Sequence, residues 1–220
     1  HLKKNYSNRS LKRKEENKLA LQEELGLKVD PNIPMLGMVT RLAGQKGLDL
    51  VAHVLPEILE LNLQIVVLGT GEPQYEQMFR HFADTHPEHV SANIRFENAL
   101  AHRIYAASDL FLMPSLFEPC GLGQLIAMRY GSLPIVRETG GLKDTVKPYN
   151  KETDEGNGFS FANYNAHEML DTIRRAIDLY ETGKDGAFKR MIGRAMREDF
   201  SWKASAKKYK ELYKALLESL

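Results

Sequence analysis

The chain has 220 residues, 43% of them apolar and 27% charged, with 30 Lys and Arg against 29 Asp and Glu for a net charge of +1. That length can bury a substantial core, and the near balance of charge argues against a nucleic-acid partner, which asks for a basic excess. No apolar run approaches a bilayer span, the opening HLKKNYSNRSLKRKEEN has no apolar signal-peptide core, and the single Cys120 excludes an intrachain disulfide and points to a reducing, cytoplasmic setting.

The basic stretch from Lys3 to Lys18 reads as a solvated linker or the first turns of a helix, set apart from the rest by Asp30 to Pro34. MLGMV at 35–39 is a compact apolar run bounded by Pro34 and a polar loop, which predicts a buried strand. LDLVAHVLPEILELN at 48–62 has helical spacing and tolerates Pro56. A second strand is expected from Gln64 to Gly69, ending in GTGEP, then a helix over 76–83 and a short strand at Asn93 to Phe96. A brief helix over 102–108 leads to a fourth strand at Leu110 to Met113. SLFEPCGLGQL then turns the chain into a helix that ends at Gly131, and a fifth strand at Leu133 to Val136 ends in RETGGL. Lys147 to Gly158 is polar and rich in turn formers, so a surface loop is expected. Helices are expected over 166–182, 188–196 and 202–220.

Strand, loop and helix alternating at this rhythm predict an α/β domain, a Rossmann-like doubly wound parallel sheet. The layout is an N-terminal helix or linker over 1–34, a sheet core over 35–165 and further helices over 166–220. Ligands in such sheets bind beyond the carboxyl ends of the strands. The loops 41–47, 69–73, 115–123 and 138–142 all follow strands and should line one rim.

Arg41 and Lys46 place two cations on that rim, which suits a diphosphate, although solvated surface charges are the plainer reading. In the 115–123 loop Pro119 stiffens the turn, while Gly121 and Gly123 allow close backbone approach to a ligand. Glu118 either caps the following helix or serves sugar hydroxyls and charge on an anomeric carbon. Cys120 has no partnered histidine in the sequence and reads as a small residue packed at a turn. The adjacent Gly140 and Gly141 permit close approach at the last rim loop. Neither a G-x-G-x-x-G fingerprint nor a P-loop is present, and the seven histidines show no metal spacing, so no metal is expected.

At RLAGQKGLDL, SLFEPCGLGQLIAMRYGSLPIVRETGGLKDTV and FSWKASAKKY the chain resembles the C-terminal domain of bacterial glycogen synthases and plant starch synthases, glycosyltransferase family 5. The resemblance implies the nucleotide-sugar half of a GT-B fold whose active site lies in the cleft with an N-terminal acceptor domain. It implies a retaining transferase that moves glucose from ADP-glucose to an α-1,4-glucan without a metal or other cofactor, in bacterial cytoplasm or in a plastid. Carried over, Arg41 and Lys46 would hold the donor diphosphate and Glu118 would stand near the transferred glucose. The N–H groups of Cys120, Gly121 and Leu122 would meet sugar hydroxyls and phosphate, Phe96 would lie against adenine, and Thr139, Gly140 and Gly141 would border the sugar. Gly123 stands where many relatives have Thr or Ser. Ile126 stands where family 4 transferases carry a second glutamate, which favours family 5. A family 4 enzyme and a non-catalytic nucleotide-sugar-binding module are the alternatives. With no N-terminal domain in the sequence, weak donor binding, little or no elongation and an exposed apolar face on the last helix are expected.

Overall fold

The computed structural model describes residues 1–183 and 186–218. Six strands form one all-parallel sheet: β1 (Met35–Val39), β2 (Gln64–Leu68), β3 (Val90–Asn93), β4 (Leu110–Met113), β5 (Leu133–Arg137) and β6 (Phe159–Phe161). They run in the spatial order β3-β2-β1-β4-β5-β6. The order reverses between β1 and β4, so the crevice of the sheet opens at their carboxyl ends.

Around the sheet lie α1 (Lys12–Glu24), α2 (Leu48–Leu59), α3 (Pro73–Thr85), α4 (Asn98–Ala107), α5 (Gly123–Arg129), α6 (Gly140–Thr145), α7 (Ala166–Gly183), α8 (Ala187–Ala195) and α9 (Trp202–Glu218). The two faces of the sheet follow the two-residue period of its strands. Ile65 and Val67 of β2 join a core with Val51, Leu55 and Ile58 of α2 and Ile173 and Ile177 of α7. Val66 and Leu68 point the other way, onto Leu21 of α1 and Leu100 and Ile104 of α4. Burial on both faces explains why these strands read as continuous apolar runs.

Three expectations are corrected. The third strand covers Val90–Asn93 rather than 93–96, so Phe96 lies beyond it in an exposed loop. β6 was not anticipated: it has 3 residues, follows the turn-rich loop and pairs with β5. The basic N-terminal stretch is not wholly solvated, because Lys14 and Lys18 are buried. Lys14 Nζ donates to Ala106 O at 2.8 Å and Ser108 O at 2.7 Å, closing the carboxyl end of α4. Lys18 Nζ pairs with Asp109 Oδ2 at 2.6 Å and lies 3.0 Å from the Tyr180 hydroxyl. α1 is thereby fastened to the sheet by salt bridge and carbonyl contacts as well as by Leu21.

α9 buries none of its side chains: Trp202, Tyr209, Leu212, Tyr213 and Leu217 are all exposed. The expected reach of this helix to Leu220 lies outside the described residues. Among the described residues no helix is long and apolar enough to cross a membrane.

Candidate functional site

The loops after β1 and β4 meet at the switch point. After β1 the chain runs through Arg41 into a 3₁₀ turn at Gly44–Lys46 before α2 begins. After β4 it passes Ser115 and Glu118 before α5. The two loops are joined directly, Leu116 N donating to Gln45 O at 2.9 Å. Lys46 Nζ and Glu118 Oε2 are 2.6 Å apart, with the side chains 22% and 13% exposed. Partial shielding of both groups keeps this ion pair stronger than a surface pair would be. The Ser115 hydroxyl donates to the same carboxylate oxygen at 3.2 Å.

Arg41 points elsewhere. Its Nη2 donates to Gln45 Oε1 at 3.1 Å, and its side chain lines a cavity of about 460 Å³ with Gly69, Thr70, Phe96, Glu97, Tyr105 and Ile126. The cavity opens beyond the carboxyl ends of β1 and β2. Phe96 is 93% exposed, so its ring is no part of the core and is free to stack on a planar ligand. Arg95 and Arg103 bond Glu97 and hold its carboxyl below the usual range. Burial pushes the Tyr105 phenol up to about 12, leaving it protonated. Arg41 and Phe96 thus share one cavity, while Lys46 and Glu118 share the adjoining loop contact.

At the start of α5, Gly121 adopts φ +71°, a left-handed conformation that favours glycine. The Gln124 side chain reaches back to donate to Cys120 O at 3.1 Å and Gly121 O at 3.0 Å. These bonds fix the carbonyls inward. The N–H groups of Cys120, Gly121 and Leu122 find no protein acceptor among the described residues. Cys120 itself is exposed rather than packed into the turn: its backbone, not its side chain, lies against Gly141.

Thr139, Gly140 and Gly141 were expected to border a ligand directly. The room made by the two glycines is filled by the chain's own backbone. A Cβ on Gly140 would lie 2.3 Å from Glu118 O, and one on Gly141 would lie 1.9 Å from Cys120 O. Gly141 N donates to Glu118 O at 3.1 Å and Pro119 O at 3.2 Å. Thr139 precedes α6, its carbonyl accepting from Leu142 N at 3.1 Å. The RETGGL loop therefore supports the Glu118 loop from behind. Ser115 and Arg137, which open the SLFEPC and RETGGL segments, also support it, as does Tyr164, which lies outside both; none of the three shows a role of its own in the sequence.

Residues 18–189 match the model of a family described as glycosyl transferases group 1. The chain belongs to this family. Its six-stranded parallel sheet with flanking helices is one Rossmann-like half of the GT-B glycosyltransferase fold. It is 56% identical to a glycogen synthase of Alkaliphilus metalliredigens (strain QYMF) over 98% of its own length and 45% of that protein. Against a glycogen synthase of Clostridioides difficile (strain 630) identity is 57%, over 95% of this chain and 43% of that one. The catalytic domain of starch synthase IV from Arabidopsis thaliana, bound to ADP and acarbose, superposes with a TM-score of 0.88 at 41% identity, covering 97% of this chain and 45% of that chain. This group 1 glycosyltransferase chain thus spans less than half the length of these relatives. The likeness extends over nearly the whole chain, not only the motifs quoted above.

Proposed function

We propose that this chain is the donor-binding half of a retaining α-1,4-glucan synthase that transfers glucose from ADP-glucose to the non-reducing end of a glycogen- or starch-type glucan. The observation that carries the reading is the Lys46–Glu118 pair, 2.6 Å apart at the switch point of the sheet and next to the cavity shared by Arg41 and Phe96. The ADP and acarbose on the similar starch synthase IV support the choice of nucleotide and glucan.

On this reading adenine stacks on Phe96 and the diphosphate is neutralised by Arg41 and Lys46. A diphosphate draws Lys46 from Glu118 and leaves the carboxylate facing the glucose. The N–H groups of Cys120, Gly121 and Leu122 donate to the distal phosphate and sugar hydroxyls, with Thr139, Gly140 and Gly141 holding that loop. The bond from C1 to the diphosphate oxygen breaks while the acceptor hydroxyl attacks from the same face. Its proton passes to the departing diphosphate, and Glu118 offsets positive charge at the anomeric carbon. The two cations stabilise the leaving ADP, so the chemistry uses no metal and no further cofactor. The glucan is held by a second domain whose closure over this rim excludes water. Neither nucleic acid nor membrane enters the reading, and a cytoplasmic setting, or a plastid in a plant, fits it.

The test is calorimetric titration of the chain with ADP, UDP and ADP-glucose, with Arg41→Ala and Lys46→Ala alongside. Glucan elongation by the full-length protein carrying Glu118→Gln completes it. ADP binding that exceeds UDP binding and falls at least tenfold in both cation variants, with elongation lost in the Glu118 variant, is the expected result. Elongation at the parent rate without the Glu118 carboxylate would overturn its assigned role.

A further inference from the structure

Arg137 closes β5, the strand beside the one that leads to Glu118, and its guanidinium is turned back onto that neighbouring loop. Nε donates to Ser115 O at 2.9 Å, and Nη2 donates to Leu116 O. The guanidinium carbon lies 5.6 Å from the centroid of the Tyr164 ring, a cation–π contact. The Tyr164 hydroxyl donates to Asp49 Oδ1 at 2.5 Å and lies 3.3 Å from Gly44 O. Gly44 opens the 3₁₀ turn that contains Lys46, and Asp49 stands in the first turn of α2. Leu116 N, donating to Gln45 O at 2.9 Å, closes the circuit.

These contacts tie together four segments remote in sequence. The end of β5 holds the carbonyls just before Glu118, and the 161–164 stretch holds the turn carrying Lys46. We propose that Arg137 and Tyr164 are positioning residues for glucosyl transfer, a bracket that keeps the Glu118 loop in register with the Lys46 loop; this rests on the donor-site reading above. The residue types fit the task. A guanidinium presents N–H groups in a fixed plane and bridges two successive carbonyls, whereas a lysine ammonium has no such fork. Burial, reinforced by the hydrogen bond to Asp49, raises the Tyr164 pKa, so the phenol keeps the proton that it donates.

The bracket is divided. Its arginine half grips the Glu118 loop and its tyrosine half grips the Lys46 turn, so the two halves affect different steps. The experiment compares Arg137→Lys, Tyr164→Phe, their double variant, Glu118→Gln and Lys46→Ala. The chain is titrated with ADP, and elongation is measured in the full-length protein that carries it. A displacement of about 1 Å at reacting groups costs roughly 100-fold in rate. Arg137→Lys is therefore expected to lower kcat by about that factor while the donor KM and the ADP affinity stay within about threefold. Tyr164→Phe, which keeps the ring over Arg137, is expected to weaken ADP binding several-fold. The double variant is expected to show both losses, the kcat fall of Arg137→Lys and the weakened ADP binding of Tyr164→Phe, as for halves that act on different steps.

If Arg137→Lys elongates at the parent rate while Glu118→Gln is inactive, the bracket is wrong and the donor-site reading stands. A fall of kcat, ADP affinity and melting temperature together in Arg137→Lys would show a merely structural residue and also overturn it. Parent-rate elongation in both Glu118→Gln and Lys46→Ala would instead remove the donor-site reading, and the bracket with it. Should Arg137→Lys fail to fold, unchanged ADP binding in Tyr164→Phe is sufficient to reject the proposal.

Discussion

Gly141→Ala puts the support of the Glu118 loop to a quantitative test. The added Cβ would stand 1.9 Å from Cys120 O, where a relaxed carbon–oxygen contact is about 3.3 Å. One backbone segment must therefore retreat by about 1.4 Å, the difference of those two distances. No flexible side chain is available to give way, because the obstructing atoms all belong to Cys120's backbone. The retreat also strains the bonds from Gly141 N to Glu118 O and Pro119 O. Overpacking costs about 1–3 kcal/mol and a weakened hydrogen bond about 1 kcal/mol more. At about 2–4 °C per kcal/mol for a domain of this size, the melting temperature should fall by roughly 5–15 °C. Because the displaced segment carries Glu118 and the N–H groups of 120–122, ADP affinity should fall at least tenfold. Gly26→Ala is the control. Gly26 has φ +70° and no atom within 4 Å of its Cβ position, so only conformational strain of about 1–2 kcal/mol is expected, with ADP binding unchanged. Thermal unfolding and calorimetry on the two variants decide the matter. A Gly141→Ala chain that melts within about 1 °C of the parent and binds ADP equally well would refute the reasoning.

Asp109→Ala leaves the buried Lys18 ammonium without its carboxylate and Met35 N without its acceptor, and should cost about 3–5 kcal/mol. Adding Lys18→Met to Asp109→Ala should recover part of that loss in urea unfolding; a double variant less stable than the single would contradict the account. Burial lowers the Lys14 pKa to about 7 from an ordinary 10.5. Between those values the unfolded chain binds more protons than the folded one, so this group's contribution to stability rises with pH from about 7 towards 10.5 and is lost as pH falls from 10.5 to about 7, below which both states are protonated. The parent should therefore gain up to about 2 kcal/mol between pH 7 and 9 relative to Lys14→Met, and parallel urea midpoints for the two chains would disprove it. Phe96→Ala should leave thermal stability unchanged, because the ring is exposed, yet weaken ADP binding about tenfold through lost stacking. Phe96→Tyr should retain the affinity, and equal titrations for the Ala and Tyr variants would remove the ring from the adenine site.

The apolar runs of β1, β2, β4 and β5 were legible because strands buried on both faces carry almost no polar residues, and the turn formers between them mark their ends. β3 was misplaced because VSAN is half polar, so nothing local distinguishes it from the NIRF that follows. β6 is only 3 residues long and owes its existence to pairing with β5. The positions of Arg41, Lys46 and Glu118 on strand-end loops could be read directly, and the family resemblance attached roles to them. What the sequence could not give was which of these groups meet. Lys46 and Glu118 are 72 residues apart, and Arg41, on the same loop as Lys46, faces a cavity that neither of them lines.

Local pattern determined the class of fold, the rim and the candidate groups, since strand burial and turn chemistry depend on near neighbours. Tertiary structure decided the rest. Lys14 and Lys18 look like solvated charges until carbonyls 92 and 94 residues away and a carboxylate 91 residues away enclose them. Gly141 reads as open space until the Cys120 backbone is found where a Cβ would stand. Arg137 heads the RETGGL segment and Tyr164 lies outside any motif, yet neither shows its role locally, because a bracket is defined by the segments that it joins, and those come together only when the sheet brings the carboxyl ends of its strands to one edge.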